Sequence, residues 1–253
     1  MSTLPYVTAA TDGAGVTTIE FATAAHNSLP ARELAALAAA IETAGADEAC
    51  RVIVLRSGGE RTFCAGASFD ELIAVGTEAE GLAFFSGFAE VINAMRRCPR
   101  LIIGRVQGKA VGGGVGLAGA CDLVYATAFA SVKLSELAIG IGPFVIGPAV
   151  ERKVGKAAFS EMALRADEWF GAAYAKTRGL YTEVVDDLSA LDAAVLAKAT
   201  TLAGYHREAT AEMKRVLWAG TDDWATLLAE RAEISGRLVT REWTRRKLAE
   251  LKP

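Results

Sequence analysis

The run Val52-Ile53-Val54-Leu55, closed on each side by an arginine, constrains the fold of this chain more than any other stretch. Four consecutive β-branched or aliphatic residues without polar alternation fit a strand buried on both faces. Such strands belong to parallel sheets covered by helices. Val16-Thr17-Thr18-Ile19-Glu20-Phe21 precedes it, Leu101-Ile102-Ile103-Gly104-Arg105-Val106 follows Pro99, and Asp122-Leu123-Val124-Tyr125-Ala126 reads as one more strand. Helical periods lie between them. Asn27 or Ser28 stands near the cap of a helix whose buried face carries Leu34, Leu37, Ala38 and Ile41, and a second helix, from about 79 to 97, carries Phe84, Phe85, Phe88, Val91, Ile92 and Met95. Strands alternating with helices predict an α/β fold with crossover connections. From Ala157 the pattern is helical, over 159–164, 172–178, 189–202, 210–217 and 224–251. The organisation expected is an α/β core over 1–190 and a helical C-terminal lobe over 191–253.

Charge and motif content narrow the function classes. Across 253 residues, 27 basic side chains against 30 acidic ones give a net charge of −3 with no lysine/arginine block, which argues against nucleic acid. Cys50, Cys64, Cys98 and Cys121 form no CxxC pair and read as buried thiols of a reducing compartment. The first residues have neither a basic nor an apolar leader region, and the longest charge-free apolar stretch, Leu137 to Val150, is too short and too rich in glycine and proline to span a bilayer. A soluble, cytoplasmic protein without a membrane partner is expected. His26 and His206 lie far apart without ligand spacing, so no metal site is expected, and no GxSxG elbow supports a serine triad. The tandem aspartates Asp186-Asp187 and Asp222-Asp223 read as solvated turns or caps. The Phe84, Phe85, Phe88 stripe reads as core, and Trp218, Trp224 and Trp243 as packing or a subunit contact.

Chemistry concentrates in two glycine-marked turns and one carboxylate. In Phe63-Cys64-Ala65-Gly66-Ala67-Ser68-Phe69-Asp70-Glu71-Leu72, small residues run into a helix start, where unpaired N–H groups are electropositive. In Gly112-Gly113-Gly114-Val115-Gly116, the triplet requires a close backbone approach or positive φ. Gly114 to Gly119 matches GxGxxG, but the next strand follows almost at once and no acid closes it, which disfavours a dinucleotide site. No Walker lysine is present. Glu136, within Leu134-Ser135-Glu136-Leu137, sits in an apolar segment that disfavours its charged form and so suits proton transfer; a salt bridge to Lys133 or to an arginine is the alternative. Two aimed backbone N–H groups can hold a developing oxyanion, and a carboxylate beside them can move a proton on the neighbouring carbon, as chemistry at an acyl thioester needs.

The stretches FCAGASFDEL, GKAVGGGVGLAGACDLVYA and VKLSELAIGIGPFVIGPAVERKVG resemble the crotonase (enoyl-CoA hydratase/isomerase) superfamily, in order and spacing, over nearly the whole chain. The resemblance implies a spiral of ββα units, a helical C-terminal trimerisation region, a homotrimer or dimer of trimers, acyl-coenzyme A as substrate, and no metal or redox cofactor. Position by position, it implies that Ala67 and Gly113 supply the oxyanion N–H groups and that Ala65, Gly66, Ser68 and Phe69 flank coenzyme A. Glu136 falls at the family's second catalytic glutamate. Phe144 and Ile146 would form an apolar wall near the acyl end, and Lys133 or Arg152 could serve an acidic acyl group. Two features depart from the pattern: the loop Ala24 to Pro30 is short, and Gly116 stands where ordinary hydratases carry another glutamate. The GGGVGL…CD…LSE…IG pattern resembles bacterial methylglutaconyl-CoA hydratases, which also have glycine there. The activity expected is hydration of a 2-enoyl-CoA by a single glutamate; double-bond isomerisation, acyl-CoA hydrolysis and non-catalytic acyl-CoA binding are the alternatives.

Overall fold

A computed structural model describes residues 4–251. The chain runs through β1 (Tyr6–Thr11), β2 (Val16–Ala22), α1 (Ala31–Ala46), β3 (Val52–Ser57), β4 (Thr62–Cys64), α2 (Phe69–Ala74), α3 (Glu78–Arg97), β5 (Leu101–Val106), β6 (Lys109–Val111), α4 (Gly113–Ala120), β7 (Leu123–Thr127) and β8 (Ser131–Lys133). A 3₁₀ turn, Glu136–Ile139, comes next. Then follow α5 (Gly147–Leu164), β9 (Phe170–Gly171), α6 (Ala172–Thr177), β10 (Glu183–Val185), α7 (Leu188–Ala203), α8 (Arg207–Leu217), α9 (Trp224–Val239) and α10 (Glu242–Glu250).

Two sheets result. The larger has the order β1-β2-β3-β5-β7-β10, parallel throughout except for the β1–β2 pair, and the smaller has the order β4-β6-β8-β9, with only β9 antiparallel. The strand read as doubly buried is so. Ile53 and Leu55 join the main core with Leu34, Leu37 and Ile41 of α1 and Val91, Ile92 and Met95 of α3. Val52 and Val54 pack on the other face against Leu191, Val195 and Ala199 of α7. Period-2 geometry sends alternate side chains to opposite faces, so an unbroken apolar run is what two covered faces demand. Within 191–253, α7 thus covers a sheet face, while α9 lies along α3. Gly236 approaches so closely that a Cβ placed at Gly81 would stand 2.7 Å from it.

Several local expectations need correction. Neither Asn27 nor Ser28 caps α1: Pro30 occupies the cap position without a side-chain bond, and its fixed φ suits that place. Asn27 instead has φ 57. Its side chain accepts from Thr23 N at 3.1 Å and donates to the carbonyls of Gly58 and Thr62 at 2.8 Å each. The helical span 224–251 is two helices, broken at Thr240 and Arg241, and the segment 159–164 is the end of the longer α5, which is interrupted at Gly155 with φ 76. β4, β6, β8, β9 and β10 have two or three residues each, too few to show a period in sequence. The four cysteines are buried and free, and no described helix is long and apolar enough to cross a membrane.

The sheet and the C-terminal helices are joined by a buried polar cluster. Asp122 accepts from Ile102 N at 2.7 Å and from Trp218 Nε1 at 2.9 Å, and pairs with Lys214 Nζ at 3.1 Å. Lys214 Nζ also donates to the Arg100 carbonyl, and Lys153 Nζ to the Asp122 carbonyl, each at 2.7 Å. Removing one member of such a buried pair leaves an uncompensated charge. Asp122→Ala is expected to cost about 3–5 kcal/mol of stability, read as a lowered urea midpoint; an unchanged midpoint would show that the cluster holds nothing together.

Candidate active site

Parallel pairing of β4 with β6 and of β6 with β8 brings three strand ends to one edge, and the carboxyl edge of a parallel sheet is where ligand-binding loops collect. Out of β4 come Ala65, Gly66 and Ala67; out of β6, Gly112 and Gly113; out of β8, Ser135 and Glu136. The three segments that sequence reading singled out therefore meet, and all three line one cavity of about 180 Å³.

The first turn is held in place by the short loop before α1. Ala65 N donates to the His26 carbonyl at 3.2 Å, Leu29 N to the Gly66 carbonyl at 2.8 Å, and Ser68 N to the Leu29 carbonyl at 3.1 Å. Gly66 has φ 91, and a Cβ there would stand 3.1 Å from the Val111 carbonyl and 3.5 Å from Gly113 N, so the two glycine turns touch. Ala67 lies between bonded neighbours, and its N–H has no acceptor among the described residues; neither has that of Gly113, the first residue of α4. Helix geometry leaves the latter unpaired by necessity. Ala65, Gly66, Ala67 and Phe69 line the cavity. Ser68 does not: its hydroxyl caps α2, accepting from Glu71 N at 3.3 Å.

Glu136 opens the 3₁₀ turn, and its Oε2 is sealed from solvent with no hydrogen-bond partner among the described residues. Burial pushes its carboxyl up to about 7. Oε1 lies against Gly112, where a Cβ would come within 2.9 Å. The alternative of a salt bridge is not realised: Lys133 donates instead to the Asp167 carbonyl at 2.8 Å, beside the Trp169 ring. Lys133 and Arg152, considered for an acidic acyl group, both lie outside this cavity; Arg152 stacks on Trp218, its Cζ 3.7 Å from the ring centroid.

Phe144 and Ile146 line the cavity as the expected apolar wall. Phe84 and Phe85, read as core, line it too and are only half-buried; Phe88 does both, since it belongs to the core and its ring fills the space beside Gly113. A helix stripe three phenylalanines wide is ambiguous between core and cavity, because both require apolar surface. Ile139, Ile141 and Ser235 carried no sequence signal and reach the site only through the fold. The departure at Gly116 has a spatial counterpart. A Cβ at Gly116 would stand 2.5 Å from Ile146 Cγ2, so Ile146 occupies the room that a longer side chain would need. A second cavity, lined by His26, Arg61 and Lys109, shares Ala65 and Val111 with the first, and Arg61 and Lys109 give it a cationic flank.

Residues 11–239 match the model of a family described as enoyl-CoA hydratase/isomerase. The chain belongs to that family. It is 34% identical over 169 residues to a mitochondrial methylglutaconyl-CoA hydratase of Rattus norvegicus, an alignment spanning 66% of this chain and 53% of that protein. To a mitochondrial Delta(3,5)-Delta(2,4)-dienoyl-CoA isomerase of Homo sapiens it is 29% identical, over 62% of this chain and 51% of that protein. The chain thus spans about half the length of these curated relatives. The crystal structure of an enoyl-CoA hydratase from Mycobacterium smegmatis superposes with a TM-score of 0.81 at 31% identity, covering 90% of this chain and 89% of that one. The α/β fold and membership of the crotonase superfamily follow, and the relatives carry both hydratase and isomerase names.

Two stability measurements probe this geometry without any substrate. A carboxyl whose folded pKa lies near 7 rather than 4.5 favours folding while protonated, and that contribution is lost as pH rises through 7. Glu136→Gln is therefore expected to gain on the order of 3 kcal/mol over the natural chain at pH 8 and nothing at pH 4. Denaturant midpoints at the two pH values decide; an equal difference at both would mean that the carboxyl titrates normally. Separately, Gly116→Ala should cost about 1–3 kcal/mol by overpacking against Ile146, and Ile146→Ala in the same chain should recover part of it. A cost that the second change leaves untouched would place the strain elsewhere.

Proposed function

We propose that the protein hydrates a 2-enoyl-CoA thioester, or dehydrates the corresponding 3-hydroxyacyl-CoA, with Glu136 as its only acid–base group. The observation that carries this reading is the meeting, in one cavity, of two acceptor-free N–H groups, on Ala67 and Gly113, with a carboxyl whose Oε2 is sealed from solvent and unpartnered among the described residues. The thioester oxygen would accept from both N–H groups, which stabilise the enolate oxygen as charge develops there. Glu136 would take a proton from water as the water oxygen bonds to C3, and return that proton to C2, so the balance is one water added across the double bond. A base whose pKa lies near the working pH suits both halves of this exchange. The phosphates of coenzyme A would be met by Arg61, Lys109 and His26 on the cationic flank, and no further cofactor enters the scheme. Exposed apolar side chains on the C-terminal helices, among them Leu196, Met213, Val216 and Trp243, support assembly as a homotrimer or a dimer of trimers.

A second reading rests on Ile146. With Gly116 closed off by that side chain and Glu136 the one acidic residue lining the cavity among the described residues, none of them places a second carboxylate to hold water. An enoyl-CoA isomerase needs only one base, which removes a proton from C2 or C4 and returns it to the other. Products separate the readings: the hydratase adds the mass of one water to a 2-enoyl-CoA, whereas the isomerase moves the double bond of a 3-enoyl-CoA at constant mass.

For either reaction, Glu136→Gln should lower kcat at least 10²-fold with little change in KM. In the base-catalysed direction, kcat/KM should rise with pH through an apparent pKa of about 7 and level off above it. Unaltered turnover in the variant would remove Glu136 from the chemistry.

A further inference from the structure

Ser235 lines the cavity from α9, is 1% exposed, and its hydroxyl has no hydrogen-bond partner among the described residues. A buried serine on a helix commonly returns its hydroxyl to a carbonyl one turn back, and Ser86 on α3 does so, donating to Leu82 O at 2.8 Å. Ser235 makes no such bond. A hydroxyl left unpaired in an apolar setting is costly, and the few polar groups in a largely apolar cavity are what orient a ligand.

Its place along the cavity follows from helix geometry. Phe88 packs against Gly113 at the oxyanion end, whereas Gly81, seven residues earlier on α3, packs against Gly236, the neighbour of Ser235. Seven residues of α-helix rise about 10 Å. Ser235 is therefore displaced along α3 from the thioester end, with Phe84 and Phe85 between. Among the described residues no lysine, arginine or histidine lines the cavity, and the one ionisable group that does is Glu136. A carboxylate on the acyl chain would have no counter-charge there and would be desolvated beside another acid.

We propose that Ser235 is a specificity-determining residue, and that the acyl group accepted here is uncharged and carries a hydroxyl or carbonyl oxygen several bonds from the thioester, which hydrogen-bonds to the Ser235 hydroxyl. The proposal deepens the acyl-CoA reading and rests on it. It also separates this chain from any member of its family whose acyl group bears a distal carboxylate.

The test measures binding rather than turnover, using saturated, unreactive thioesters and the full chain. Calorimetry would compare alkyl acyl-CoAs from butanoyl to octanoyl with their ω-hydroxy counterparts and with the dicarboxylic monothioesters, for the natural protein, Ser235→Ala and Ser235→Thr. At one chain length, the ω-hydroxy compound is expected to bind about tenfold more tightly than its alkyl partner. That advantage should vanish in Ser235→Ala and persist in Ser235→Thr, while the dicarboxylic compound binds more weakly than either. Equal binding of every matched pair, or an advantage that survives Ser235→Ala, overturns the role of Ser235. Tightest binding of the dicarboxylic compound overturns the uncharged acyl group. Should no thioester bind at all, the acyl-CoA reading falls and this inference with it, an outcome distinct from binding without preference.

Discussion

Parallel pairing within the small sheet is the constraint on which the site depends. β4, β6 and β8 are three residues each and contribute little area, but their shared direction delivers the Ala65–Ala67 turn, the Gly112–Gly113 turn and Glu136 to the same edge. Reversing one strand would carry its turn to the opposite edge and separate donor from acid. Strands this short do not hold themselves together. They are positioned by the larger sheet and by the clamp of the Ala24–Pro30 loop, where consecutive left-handed residues at His26 and Asn27 turn backbone groups toward the first glycine turn. Strain of that kind persists only where surroundings over-determine it, and the three bonds of the Asn27 side chain do so.

The electrostatics of the site follow from what the cavity lacks. Among the described residues Glu136 pairs with neither Lys133 nor any arginine, and the cavity around it is lined by glycine and apolar side chains apart from Ser135 and Ser235. A carboxyl in that setting stays near the midpoint of its titration at neutral pH, where it can both give and accept a proton. The cationic side chains Arg61 and Lys109 line the adjoining cavity instead, together with His26. Charge is thereby sorted by position, cations where a phosphorylated carrier would lie and none where the acyl group would.

Gly116 and Ile146 show how a single departure in sequence reshapes a site. Absence of a glutamate at 116 by itself leaves open an enlarged, wetter cavity. Ile146 fills that room, so the change is from polar to apolar rather than from full to empty. Close packing makes the two positions one unit: a side chain at 116 and isoleucine at 146 cannot both be accommodated without movement.

Local sequence determined a good deal. The doubly buried strand 52–55, the helix over about 79–97 stopped by Pro99, the glycine turns and an acid in apolar surroundings were all legible, because each is governed by period, composition or backbone freedom within a few residues. The short strands were not, since two or three residues carry no period, and Asn27 read as a cap because its bonds reach across 31 and 35 residues. Which role the Phe84–Phe88 stripe plays, whether Glu136 meets a cation, what fills the room at Gly116 and that Ser235 faces the cavity were settled only by tertiary structure. Each depends on contacts between segments distant in the chain, and burial and electrostatics are properties of the packed neighbourhood rather than of the residues nearby in sequence.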